Sequence, residues 1–93
     1  MYFVYLLRCA DKSLYTGITN NIERRLAAHR AGTASRYTRS RGALSFEYIE
    51  KKNTKGSALK REAAIKRLPR EKKLQLIQES RRITKVGDSL KIR

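Results

Sequence analysis

The chain opens on two extended-looking segments separated by a short polar break, and a leading hairpin of that kind leaves few folds open. Tyr2 to Arg8 is an almost unbroken run of aromatic, β-branched and aliphatic residues, the pattern of a strand buried on both faces. Ala10-Asp11-Lys12-Ser13 has turn chemistry, and Leu14-Tyr15-Thr16-Gly17-Ile18-Thr19 reads as the returning strand. Gly17 within it predicts a bulge, or a point where another group closely approaches the backbone.

Helical signals follow. Asn20 is the expected N-cap, with Glu23 three residues on as a variant of the capping box. Ile22 and Leu26 then face the sheet at helical spacing, and Gly32 fits the C-terminal stop. Residues 31–42 carry Gly, Ser, Thr and three arginines without periodicity and are expected to be a loop. Leu44 to Glu50 alternates as a third strand. Thr54 caps a second helix to about Leu68, Pro69 ends it and opens the next, and a third helix runs to about Glu79. Residues 81–93, with five basic side chains and one acid, read as a frayed basic tail. The expectation is a single small α+β domain over residues 1–80, a three-stranded antiparallel sheet flanked by three helices.

Ninety-three residues leave room for one modest core. No apolar run reaches the ~18 residues that a membrane span needs. The opening run has no basic leader and ends at Arg8, unlike a signal peptide, so a cytoplasmic location is expected. Cys9 has no second cysteine to pair with, and one thiol with one histidine makes no zinc site. It is expected to be a small buried hydrophobe at a strand end. The charge balance is more telling: 23 Lys+Arg against 8 Asp+Glu, a net +15. Such an excess in so small a domain points to a polyanionic partner, nucleic acid above all.

Three constellations could carry chemistry. Tyr5 and Tyr15 lie on the paired strands, about opposite each other if the turn is centred near residues 10–11; they either flank a site or stack for stability. Arg25 and His29 stand four apart on one helix face, either a solvated basic face or a cationic fork beside a titratable imidazole, suited to a phosphate ester. Arg24, one step round, faces solvent. Glu62 stands among Lys60, Arg61, Lys66 and Arg67: it either pairs with Lys66 one turn on or offers an oxygen ligand to a hard divalent cation. Arg36, Tyr37, Arg39 and Arg41 interleave positive charge with an aromatic ring, as a strand-gripping segment would.

The order of these residues is more specific than any one of them. Phe3-Val4-Tyr5, then Tyr15-Thr16-Gly17, then Arg25 and His29 on the next helix and Glu62 on a later one resembles the signature of the GIY-YIG nucleases over about residues 1–78. It looks closest to the small single-domain bacterial members, with Val4 to Cys9, Leu14 to Thr19 and Arg61-Glu62 as shared stretches. Phe3 and Val4 replace the Gly and Ile of the first motif, and the second keeps Tyr and Gly around Thr16.

The resemblance implies a metal-dependent endonuclease cutting phosphodiesters, with DNA more expected than RNA. Glu62 would hold Mg²⁺ or Mn²⁺, and Arg25 would stabilise charge on the transition state. Tyr5 would be the base, its phenolate favoured by nearby cationic groups, with Tyr15 or His29 sharing proton relay. Asn20 and Gly17 would shape the wall, and Lys66 would contact phosphate or tune Glu62. The rival reading is a non-catalytic basic module that keeps the fold and binds nucleic acid without cutting.

Overall fold

The computed structural model of the chain describes residues 1–84. Three strands, β1 (Tyr2–Cys9), β2 (Leu14–Thr19) and β3 (Ala43–Lys52), form one antiparallel sheet in the order β2-β1-β3. The apolar run is therefore the central strand, and Val4 to Leu7 are buried without interruption. The reversal after it places Lys12 at φ 72, and the Asp11 carboxylate accepts from both the backbone and the hydroxyl of Ser13.

Side chains of β1 divide between two cores. Val4 and Leu6 pack with Ala58, Ile65 and Ile77, from α3 (Lys55–Lys66) and α4 (Arg70–Thr84). Tyr5 and Leu7 pack on the other face with Phe46 and with Leu26 of α1 (Ile22–Ala31), where Ile22 joins them as expected. The period-two alternation of a strand thus hands alternate residues to helices on opposite faces. Cys9 closes the strand, fully buried.

Several boundaries differ from the sequence reading. The N-cap of α1 is Asn21, not Asn20; its side chain accepts from the Arg24 backbone at 3.0 Å. Asparagine caps equally well at either position, and the end of β2 decides. The Thr19 hydroxyl bonds both the backbone N–H and the carbonyl of Asn21, turning the chain one residue later. Gly32, at φ 80, ends the helix as expected.

The expected loop at 31–42 contains a fourth helix, α2 (Arg36–Arg41). Six residues carry no periodic signal, so local bonds must make this turn. Ser35 caps it by accepting from the Thr38 backbone at 3.1 Å, and Thr38 is buried completely. Thr54 caps α3, accepting from Ser57 at 3.1 Å, and Pro69 supplies the carbonyl that receives the first amides of α4. Residues 81–84, expected to begin the frayed tail, continue α4; the rest of that segment, 85–93, lies outside the described residues. No helix among the described residues is long and apolar enough to cross a membrane.

Candidate active site

Tyr5 is the centre of an aromatic cluster on the α1 face of the sheet. Its strand partner is Gly17, and Tyr15 pairs with Leu7, so the two tyrosines are diagonal neighbours and not opposite, as the turn position had suggested. Their ring centroids lie 6.4 Å apart. No bulge interrupts the β1–β2 pairing; Gly17 marks a close approach instead. A Cβ there would stand 2.5 Å from the Tyr5 hydroxyl oxygen and 2.6 Å from Cζ, so only glycine lets the phenol lie across the strand.

His29, one turn after Arg25 on α1, is 2% exposed and edges onto both tyrosine rings, at centroid distances of 5.7 Å to Tyr5 and 5.4 Å to Tyr15. Both of its nitrogens are engaged. Nε2 meets the Tyr5 hydroxyl at 2.8 Å, and Nδ1 meets the Thr38 hydroxyl at 2.9 Å. Burial, then the charge of Arg25, lowers the imidazole pKa to about 4. His29 is accordingly neutral at pH 7, a correction to the reading of a titratable imidazole that could protonate a phosphate ester.

Tyr5 departs further from expectation. Burial raises its phenol above the ordinary range, the neighbouring Tyr15 adds to this, Arg25 opposes it, and the Glu62 charge raises it again. A standing phenolate is therefore disfavoured, because one guanidinium does not offset burial. Arg25 from α1 and Glu62 from α3 both act on the Tyr5 hydroxyl, although their helices cover opposite faces of the sheet. Glu62 pairs with Lys66 at 3.4 Å, too long for a strong hydrogen bond, and its side chain is 17% exposed.

The segment 36–41 enters the site through residues that sequence reading assigned to strand gripping, and through one it missed. Tyr37 stacks on Tyr15 at 5.6 Å, and the Arg41 guanidinium lies 3.9 Å over the Tyr37 ring while pairing with Asp11 at 3.1 Å. Arg36 and Arg39 are exposed. Thr38, buried against His29, went unnoticed; the Ser35-x-x-Thr38 spacing of a capped turn was the available signal. Arg24 is exposed as expected, but it also borders a cavity of about 260 Å³ with Arg25, Asn20 and Thr33.

A protein-family model described as the GIY-YIG catalytic domain matches residues 1–75. The chain belongs to the GIY-YIG family. A UPF0213 protein of Oceanobacillus iheyensis is 49% identical over 77 residues, covering 83% of this chain and 90% of the relative. Another, from Clostridium perfringens, is 51% identical over 77 residues, or 83% of each chain. The solution NMR structure of a UPF0213 protein from Bacillus halodurans matches at a TM-score of 0.55 and 35% identity, covering 94% of this chain and 98% of the other. Membership of the GIY-YIG family implies a nuclease-type function and a nucleic-acid substrate.

The donor set available to a metal in this GIY-YIG domain is narrow. Among the described residues no group of three or more His, Cys, Asp and Glu side chains could hold an ion. Glu62 is half-buried with its carboxylate only loosely held by Lys66. One carboxylate suits a hard ion that keeps most of its water and borrows phosphate oxygens, as Mg²⁺ does, and does not suit a closed tetrahedral site.

Proposed function

We propose that this chain is a metal-dependent endonuclease that hydrolyses phosphodiester bonds in DNA, structure-selectively or with weak sequence preference, in DNA repair or processing. The observation that carries the reading is the Tyr5 hydroxyl, bonded to His29 Nε2 at 2.8 Å and acted on by the charges of Arg25 and Glu62. A phenol bonded to an imidazole, within the influence of a guanidinium and a carboxylate, supplies the groups that water attack on a phosphate diester requires.

Glu62 would hold Mg²⁺ or Mn²⁺, which when bound supplies charge compensation and a more acidic water. Arg25, half-buried and without an ion-pair partner among the described residues, faces the phosphate oxygens and stabilises the charge that grows on them. Tyr5 and His29 handle the proton of the attacking water as a pair, which avoids a free phenolate. Water forms the new P–O bond as the bond to the leaving oxygen breaks, and that oxygen is protonated from solvent. Tyr15 walls the site. Arg24 and Arg25 border a cavity along which the sugar-phosphate backbone can run, and Arg36, Tyr37, Arg39, Arg41 and Lys66 extend the grip.

One observation favours the rival reading of a binder that does not cut: Tyr5 is only 1% exposed, and its hydroxyl packs against the buried backbone of Gly17. The two readings part on purified protein offered branched and linear DNAs with Mg²⁺ or Mn²⁺. The nuclease reading expects strand scission that disappears in Glu62→Ala and Arg25→Ala, with Glu62→Ala still binding. Binding without scission on every substrate, or scission indifferent to Glu62, contradicts it.

A further inference from the structure

The Tyr5–His29 contact has two possible directions, and the surroundings decide between them. A neutral imidazole has one N–H and one lone pair. If Nε2 carried the proton, it would donate to the phenol oxygen, and the Tyr5 O–H, buried with no second partner among the described residues, would be left unmade. A buried donor without a partner costs about 1–3 kcal/mol. If Nδ1 carries the proton, it donates to the Thr38 oxygen at 2.9 Å, and Nε2 accepts from Tyr5 at 2.8 Å. The Thr38 hydroxyl then turns its own proton to Ser35, whose Oγ lies 3.2 Å away and whose carbonyl lies 3.4 Å away. Every donor in this second chain has an acceptor.

We propose that Thr38 is a positioning residue that holds His29 as the Nδ1–H tautomer, leaving Nε2 to accept the Tyr5 proton. Thr38 touches no reacting atom; it acts through His29. Tyr5 can then take a proton from water on its oxygen while passing its own to Nε2, so the buried phenol never carries a full charge. The imidazolium gives that proton back through Tyr5 to solvent once the ester is cut. The groups facing His29 are Tyr5 of β1, Tyr15 of β2 and Thr38 of α2, with Arg25 of α1 acting on it by its charge, Phe46 of β3 closing the apolar side and Glu62 of α3 acting on Tyr5 by its charge. Burial first, and then the Arg25 guanidinium, opposes a proton on His29. This catalytic use rests on the nuclease reading; the tautomer does not.

His29 is the single histidine in the chain, so its ring nitrogens can be read without overlap in long-range ¹H–¹⁵N NMR of the intact protein. At pH 7 the wild type should show a protonated Nδ1 and an unprotonated Nε2, Thr38→Ser should keep that pattern, and Thr38→Val should shift population towards Nε2–H. An Nε2–H imidazole in the wild type overturns the proposal without any variant, as does a folded Thr38→Val protein with an unchanged tautomer. In scission assays Thr38→Val should lower kcat at least about tenfold with little change in KM, and Thr38→Ser should restore it. Should the tautomer respond as expected while no DNA is cut by any form, the nuclease reading fails and the assignment of Thr38 stands.

Discussion

His29 and Gly17 show how single residues carry both stability and the site. The imidazole pKa falls from its ordinary value to about 4 in the folded chain, so the unfolded chain binds a proton between about pH 6.5 and 4 that the folded chain refuses. Stability from this group is complete above pH 6.5 and declines as the pH falls towards 4, on the order of 3 kcal/mol in all. Urea denaturation at pH 7.5 and 4.5 should register that decline, and His29→Gln should flatten it. Gly17→Ala drives a methyl into the Tyr5 phenol, which Phe46 and His29 prevent from retreating. The expected cost is about 1–3 kcal/mol, read as a fall in Tm of about 4–8 °C per kcal/mol. Catalysis should drop further than stability, because the displaced atom is the hydroxyl.

Among the elements, α3 is placed by a network beside Glu62. Glu50 on β3 accepts from Tyr48 at 2.6 Å and from Arg61 at 3.0 Å, and pairs with Lys52 at 2.8 Å. Burial alone would raise the Glu50 carboxyl, but the bonds from Lys52, Tyr48 and Arg61 more than offset it and hold it below its usual range. Arg61 precedes Glu62, so the same pair sets the register of α3 on the sheet. Glu50→Ala strands the Tyr48 hydroxyl and the Arg61 guanidinium and should cost about 1–3 kcal/mol. Thermal denaturation with and without Mn²⁺ should show the loss, with the Mn²⁺ response weakened too. The three strands, α1, α3 and most of α4 were legible in the sequence because burial imposed periodicity and caps punctuated it. The helix α2 was not, since six residues show no period and its cause is a Ser35 cap joined to a distant His29. For the same reason Thr38 was invisible, whereas Tyr5, Tyr15, Arg25, His29 and Glu62 could be picked out by their order. That order said nothing of the phenol's burial, which reverses the expected ease of ionising it.

For the whole molecule, a net +15 on 93 residues makes counterion release the dominant part of binding. Affinity for a linear DNA should fall by more than about tenfold between 50 and 200 mM salt and vary little with sequence, as fluorescence anisotropy can measure. The fold arranges this charge around a sheet whose two faces are covered by different helices, and the account requires α1 and α3 to aim at one point from opposite sides. Paramagnetic broadening by Mn²⁺ in the presence of a short DNA measures that convergence most directly. Signals from Glu62, Tyr5, Gly17 and Arg25 should broaden together, and Glu62→Gln should abolish the effect. Broadening confined to α3, or scattered over the basic surface and unchanged in Glu62→Gln, would contradict a shared site.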